Sequence, residues 1–177
     1  VFKNLMESNP AFTQVGKSYA TPPNVWDGER YKSPGPNPQI ADMSNFKAEG
    51  DYLSLLGLEF IVGRNFDKDR INDKYGVVIN EEAARLLGWG TSDTYDQDSP
   101  IGKKVICAFD NEEELEVLGV VKDFNFFSLK EKIEPLIIMH PENDKMWNYG
   151  FGRSYLSLKL NPEKVTTSKD LRDLIEQ

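Results

Sequence analysis

The stretch Gly76-Val-Val-Ile-Asn-Glu-Glu-Ala-Ala-Arg-Leu-Leu-Gly-Trp89 decides the fold, because it indicates a short strand that runs directly into a helix. The β-branched run 77–79 favours an extended backbone, and the Asn80 side chain can accept a hydrogen bond from a free amide of the first helical turn. Two glutamates then lie at the positive end of the helix dipole, and Gly88 can take the left-handed conformation that ends the helix. A helix of about two turns is not stable alone in water, so we expect its apolar face to pack on a sheet.

The residues that follow supply this sheet. Ser99-Pro-Ile-Gly102 has proline and glycine at the second and fourth positions favoured by a type I turn. The turn leads into a strand at 103–109, and 115–121 returns as its antiparallel partner, so we predict a hairpin with one buried face. Cys107 alternates with apolar residues on the first strand, which favours a small core residue over a reactive thiol.

Further strands and helices are predicted on either side of this unit. Asp51 is expected to cap a short helix that Gly57 ends. The proline-rich stretch 21–39 is predicted to be irregular, and it is either a flap that contacts a partner or a disordered connector. The remaining elements are strands at 12–19, 40–49, 58–62, 135–138 and 155–160, and helices at 52–56 and 168–176.

These elements predict an α+β fold with two lobes. The simplest arrangement pairs the last strand and helix with the first sixty or so residues, which leaves the segment between them as an inserted lobe. No internal repeat interrupts this order.

Composition restricts the function classes. The chain has 177 residues, of which 39% are hydrophobic, and this suits a globular protein with a substantial core. The net charge of -8 opposes binding to nucleic acid or anionic lipid, because both need a concentrated positive surface. No apolar run approaches the roughly twenty residues that cross a bilayer.

Residues that could perform chemistry do not form a recognisable motif. Asp67-Lys-Asp69 lacks the glycine and glutamate that a calcium loop requires at its sixth and twelfth positions, so a polar connection between lobes is the better interpretation. His140 and Glu142 are too few for a zinc site, and no Gly-x-Ser-x-Gly motif is present. We therefore predict no catalytic residue, cofactor or metal site.

Aromatic residues cluster in two places. Phe124-Asn-Phe-Phe127 follows the hairpin, and because it lies between core strands we favour burial over an exposed patch for a partner. Trp147, Tyr149 and Phe151 lie in a glycine-containing segment that can be mobile, and they are the candidate residues that face a partner, with a core role as the alternative.

Several of these motifs also match a known family. At compatible spacing, the chain resembles the MacB-like periplasmic core domain of FtsX-type ABC transporter permeases over roughly residues 45 to 140. The segments that carry the resemblance are Tyr52–Phe60, Gly63–Phe66, Asn80–Trp89, Pro100–Lys103, Leu118–Phe124 and Ser128–Pro135.

The resemblance implies an architecture and a role. A discontinuous porter-like subdomain would comprise residues 1–66 and 144–177, and a smaller, Sabre-like α/β subdomain would be inserted at 67–143. A hinge near Gly63 or Asn143 would let the two lobes shift. The domain would lie on the periplasmic side of the bacterial inner membrane, as part of a longer protein.

In such permeases, the periplasmic domain would relay movement from ATP hydrolysis in the cytoplasm to a substrate or partner. The implied partners are the parent transmembrane helices, a separate ATP-binding subunit or domain, a second permease subunit in a homodimer or heterodimer, and a periplasmic protein. The alternative is an extracytoplasmic sensor that binds a ligand in a groove between the lobes. A relay requires a stiff body whose two ends lie on the same side, and a sensor requires a concave pocket with converging aromatic and polar groups.

Overall fold

The computed structural model describes residues 2–23, 25, 27–108, 112–144 and 154–175. Over these residues the helices are α1 (Phe2–Glu7), α2 (Gly50–Leu55), α3 (Glu81–Leu86) and α4 (Ser168–Ile175), with 3-10 turns at Ile71–Tyr75 and Ser92–Thr94. The strands are β1 (Phe12–Ser18), β2 (Asp27–Lys32), β3 (Ile40–Lys47), β4 (Phe60–Gly63), β5 (Gly76–Asn80), β6 (Lys104–Cys107), β7 (Glu114–Val121), β8 (Leu136–Met139) and β9 (Tyr155–Leu160).

Six of the strands close into a barrel. The larger sheet has the strand order β4-β7-β5-β8-β3-β2-β6. Because β6 also pairs with β7, the six strands from β7 to β6 form a closed ring. The β5–β7 and β3–β8 pairs are parallel, and the other pairs in the barrel are antiparallel. β4 pairs with the second half of β7, beyond the part that β6 occupies. Closure removes most of the free strand edges that an open sheet would expose.

The barrel interior forms the first of two hydrophobic cores. Strand residues alternate between the interior and the outside, so that Val105 and Cys107 are buried while Lys104 is not. α3 packs against β3, β5, β7 and β8 and contributes Ala83 and Ala84 to this core, and Leu87 joins it from the residue after the helix. The strand residues of the core include Tyr31, Met43, Ile79, Leu115, Val117, Ile137 and Met139. The prediction that Cys107 is a core residue is confirmed, since it is 1% exposed.

The second core lies on the outer face of the barrel. Here α2 places Tyr52 and Leu53 against the outward side chains of β3, β5, β7 and β8. Phe126 is 1% exposed and belongs to this core, and Phe124 and Phe127 pack against it half-buried. The structural interpretation of the aromatic run 124–127 is therefore confirmed.

The strand and helix at 76–89 form as the sequence predicts. The Asn80 side chain accepts a hydrogen bond from the Ala83 amide at 3.1 Å, which caps α3. The same side chain accepts from the Leu136 amide at 2.8 Å and donates to the Glu134 carbonyl at 2.9 Å, so it also fixes the start of β8. Gly88 has a φ of +76° and ends the helix.

Two local predictions are wrong. Asp51 does not cap α2. The N-cap residue of this helix is Glu49, whose side chain makes no capping hydrogen bond, and Asp51 forms an ion pair with Lys3. The turn at 99–102 is shifted by one residue: the Lys103 amide donates to the Pro100 carbonyl at 3.1 Å. Gly102 then occupies the third position with a φ of +80°, which is the glycine position of a type II turn.

The stretch 21–39 is also more ordered than predicted, because it contains β2. Only Tyr31 among the described side chains of that strand is fully buried, while Glu29 is half-buried and Arg30 is exposed. A single buried side chain gives almost no alternating apolar pattern, so the strand has little local signal. It forms because it pairs with β3 and β6.

Strands from both sides of the predicted subdomain boundaries share the larger sheet. β2, β3 and β4 come from residues 1–66, whereas β5 to β8 come from residues 67–143. β9 pairs with β1, so the two ends of the chain meet in a separate two-stranded sheet. The division into a porter-like and a Sabre-like subdomain stays a prediction.

Candidate functional site

The candidate functional site is the junction at which the two-stranded sheet of β1 and β9, the terminal sheet, meets the barrel. Trp147, Tyr149 and Phe151, the aromatic residues proposed to face a partner, lie outside the described residues, and their role stays a prediction. The junction comprises residues 16–19 of β1 and its continuation, together with residues 46–53 from the end of β3 and from α2.

The terminal sheet brings the two ends of the chain together. β1 and β9 are antiparallel, with Phe12 opposite Leu160 and Ser18 opposite Tyr155. The pairing continues beyond the strands, because the Asn161 amide donates to the Ala11 carbonyl at 2.8 Å. The chain therefore enters β1 and leaves β9 at the same end of the terminal sheet, and the opposite end faces the junction.

Backbone hydrogen bonds connect the terminal sheet to the barrel. The Tyr19 amide donates to the Lys47 carbonyl at 2.8 Å, and the Glu49 amide donates to the Lys17 carbonyl at 3.0 Å. The Ala48 amide in turn donates to the Met139 carbonyl at 3.0 Å. The end of β3 thus bonds to β1 on one side and to β8 of the barrel on the other.

Close packing reinforces these bonds. Gly16 lies so near to α2 that a Cβ atom at this position would be 2.5 Å from the Tyr52 Cα atom and 2.8 Å from its amide nitrogen. The Tyr52 ring meets the Phe46 ring edge-on, with 6.4 Å between the ring centroids. β1, α2 and β3 therefore contact one another without intervening space, and a packed contact of this kind deforms little.

Charged groups add contacts at the edge of the junction. The Lys3 ammonium pairs with Glu49 and lies 3.0 Å from the Asp51 carboxylate, which ties α1 to α2. Although burial opposes it, hydrogen bonds to Glu49 and Asp51 raise the pKa of Lys3. Lys47 is 6% exposed, and its ammonium donates to the Asn143 carbonyl at 3.1 Å. Burial lowers the pKa of Lys47.

An ion pair braces the connection between β4 and β5. The Arg64 guanidinium binds both carboxylate oxygens of Asp73, with 2.7 Å between Nη2 and Oδ1. The Asp67 amide also donates to Asp73 at 2.9 Å. Although burial opposes it, these donors hold the pKa of Asp73 below its usual value. The acidic residues at 67–73 thus belong to a structural connection. Over the described ranges, no group of three or more His, Cys, Asp or Glu side chains could hold a metal ion.

Sequence reasoning did not find the junction. Gly16 and Tyr52 are 36 residues apart, and Lys3 and Glu49 are 46 residues apart, so no local pattern could show their contacts. Arg64 was visible only as part of the motif at 63–66, which gave no sign of its partner Asp73.

Comparisons with known proteins agree with the fold. The sequence matches the family described as MacB-like periplasmic core domain over residues 5–176. No curated protein matches it. Among the part of the chain that the structure describes, no helix has the length and apolar character needed to cross a membrane.

Three solved structures are similar over 98% of this chain. The periplasmic region of MacB from Actinobacillus actinomycetemcomitans has a TM-score of 0.64 and 17% identity, with 71% of that chain covered. A domain of a putative permease from Porphyromonas gingivalis has a TM-score of 0.60 and 16% identity, with 73% of that chain covered. The extracellular domain of the noncanonic ABC-type transporter YknZ from Gram-positive bacteria has a TM-score of 0.57 and 17% identity, with 80% of that chain covered. These identities support a common fold and say nothing about a shared substrate.

Proposed function

The chain belongs to the MacB-like periplasmic core domain family, and from this premise we propose that it relays movement from the membrane-embedded part of its parent permease to a substrate or partner in the periplasm. It is the periplasmic domain of a MacB/FtsX-type ABC transporter permease. The proposed relay has no chemical step of its own, so its performance depends on the mechanical coupling between the terminal sheet and the barrel.

One observation carries the proposal. The chain enters β1 and leaves β9 at the same end of the terminal sheet, where Asn161 bonds to Ala11. A force applied to both flanking segments would act on one end of that sheet. The opposite end is joined to β3 and α2 by the bonds and close packing of the junction.

The barrel supports a role as a stiff output element. Six strands close on themselves around a packed interior, and closure leaves few edges that can open independently. The bidentate Arg64–Asp73 pair links the connection after β4 to the segment before β5. Packed interiors transmit displacement because they compress little.

The partners in this proposal are those that a permease requires. Transmembrane helices of the parent chain would deliver the movement, and a separate ATP-binding subunit or domain would drive it. A second permease subunit, the same or different, and a periplasmic partner protein complete the proposed assembly. Catalysis would belong to the ATP-binding partner.

A sensor role is the second candidate, and an open groove favours it. The groove has a volume of about 580 Å³ and lies between the start of α2, the 67–74 connection and the turn after β8. Phe66 and His140 contribute rings to its wall, with 5.5 Å between their centroids. Most of its charged side chains already pair with one another, which supports the relay over ligand binding.

The two proposals are separated by a distance measurement in the intact permease with its ATP-binding partner. One spin label replaces Ile40, which is 59% exposed on a barrel strand, and the other is placed on the ATP-binding partner, which does not belong to the stiff unit of terminal sheet and barrel. Cys107 is buried and is replaced by serine to prevent competing modification. The relay predicts that this distance changes between nucleotide-free and nucleotide-bound states. If this distance is the same in both nucleotide states and changes only when a periplasmic ligand is added, the relay is rejected in favour of the sensor.

A further inference from the structure

A turn at residues 140–143 closes the end of β8 against its neighbours. The Glu142 amide donates to Nδ1 of His140 at 3.2 Å, and the Asn143 amide donates to the His140 carbonyl at 3.1 Å. The imidazole is half-buried and its ring meets Phe66 edge-on. Since Nδ1 accepts a hydrogen bond, the proton of the neutral ring lies on Nε2.

This turn holds two other parts of the domain. The Asn143 carbonyl accepts the hydrogen bond from the buried Lys47 ammonium, which belongs to the end of β3 at the junction. Asp144, the next residue, lies 3.6 Å from the Lys74 ammonium at the end of the 3-10 turn before β5. The conformation of the turn therefore affects contacts with both the junction and the 67–75 connection.

We propose that His140 is a proton-sensitive latch, whose neutral imidazole keeps the turn at 140–143 closed and whose protonation releases it. Protonation converts Nδ1 from an acceptor into a donor, so the Glu142 amide would face an N–H group. The hydrogen bond between them is lost, and the turn keeps the backbone bond from the Asn143 amide to the His140 carbonyl. The proposal concerns the domain itself and does not depend on the relay.

The surroundings decide the pH at which the latch opens. Burial lowers the pKa of His140 below its usual value of 6.5, while the carboxylates of Glu142, Glu49 and Asp73 act in the opposite direction. Glu49 forms an ion pair with Lys3, and Asp73 forms one with Arg64. Because these cations offset the negative charges, the two carboxylates stabilise a protonated imidazole less. Two other cations of the groove are paired, Arg70 with Asp67 and Lys74 with Asp144. Lys68 is exposed and makes no ion pair with any residue that the structure describes. The turn at 140–143 is therefore expected to open at a pH below the usual pKa of histidine.

The test is an NMR titration of the full 177-residue chain from about pH 8 to about pH 5, the range in which histidine switches operate. The imidazole is expected to titrate with a pKa below 6.5, and the amide resonances of Glu142 and Asn143 should follow the same curve. Below that pKa, protection of the Glu142 amide against hydrogen exchange should fall by about tenfold beyond the intrinsic pH dependence.

Two variants make the test specific. His140→Asn keeps an acceptor oxygen two residues before the Glu142 amide, as in an Asx turn, but cannot titrate in this range. Its Glu142 amide should stay protected at every pH. His140→Phe keeps a ring against Phe66 but removes the acceptor, so its Glu142 amide should be unprotected at every pH.

Three results would overturn the latch. One is a Glu142 amide whose shift and protection do not follow the imidazole titration. Another is a His140→Asn variant that shows the same acid-induced loss of protection as the original chain. The third is an imidazole that titrates above its usual value, because the protonated ring would then be stabilised in place by the surrounding carboxylates.

Discussion

A methyl group added at Gly16 should loosen the contact between β1 and α2. The new Cβ atom would lie 2.5 Å from the Tyr52 Cα atom, about 0.9 Å short of the 3.4 Å at which ordinary contact begins. The atoms in the way belong to the backbone, so no side-chain rotation can relieve the overlap and α2 has to move. Overpacking of this kind costs about 1–3 kcal/mol. Alanine also restricts the unfolded chain, and its lower conformational entropy stabilises the folded state by about 0.4–1 kcal/mol. We therefore expect Gly16→Ala to lower the free energy of unfolding by about 1–2 kcal/mol.

The assay is urea unfolding followed by circular dichroism, with Gly28→Ala as the matched control. Gly28 also lies in a paired strand and lacks a positive φ, but a Cβ atom there would lie 3.3 Å from the Met43 carbonyl oxygen, and the next atoms would be 3.9 Å and 4.0 Å away. The control should remain within about 0.5 kcal/mol of the original chain.

Hydrogen exchange shows where the Gly16 variant is weakened. The amides of Tyr19 and Glu49, which bond across the junction, should lose protection in Gly16→Ala, whereas amides inside the barrel should change only with global stability. Equal stabilities of Gly16→Ala and Gly28→Ala, with both junction amides unchanged, would refute the proposal that β1 and α2 are held in close contact.

Three further outcomes follow from single side chains. Asn80→Ala should lower the free energy of unfolding, measured in urea, by at least about 2 kcal/mol, because it removes a helix cap and leaves the Leu136 amide and Glu134 carbonyl without their partner. A decrease below about 1 kcal/mol would contradict this role. Burial, together with neighbouring carboxylates, raises the pKa of Asp123. The native state therefore binds a proton more readily than the unfolded state, and the free energy of unfolding falls as pH rises through the native pKa. Asp123→Asn should therefore be more stable at neutral pH, with a flatter dependence of unfolding free energy on pH above 3.8, and an unchanged slope would be inconsistent with this account. Cys107 is buried, so iodoacetamide should modify it at least about a hundredfold more slowly in the native chain than in urea, and similar rates would show that the barrel interior is open.

The parts of the fold that the sequence predicts are those with local signals. α3 is defined by the Asn80 cap and Gly88, and both operate within a few residues of the helix. β9 shows a regular alternation and was predicted with its observed bounds, 155–160. The hairpin of β6 and β7 was likewise predicted, because a short polar loop separates two strands of suitable composition.

The remaining features depend on contacts that are distant in sequence. Barrel closure requires β3 to lie parallel to β8 and β6 to bridge β2 and β7, and neither arrangement leaves a mark on the strands themselves. The junction depends on a glycine in β1, which is uninformative until Tyr52 is placed beside it. A family resemblance supplied the general role, but the residues that would transmit movement emerged only from the packed structure.

The most direct test of the central claim is the distance between the terminal sheet and the barrel in the intact permease. Spin labels at Thr13, which is exposed on β1, and at Ile40 on β3 report this distance by double electron–electron resonance, with Cys107→Ser as background. A stiff relay predicts one narrow distance distribution that is the same in nucleotide-free and nucleotide-bound states, because the junction carries the barrel along with the terminal sheet. A distribution that broadens, or that shifts by more than about 3 Å with nucleotide, would show that the junction yields and would contradict the account.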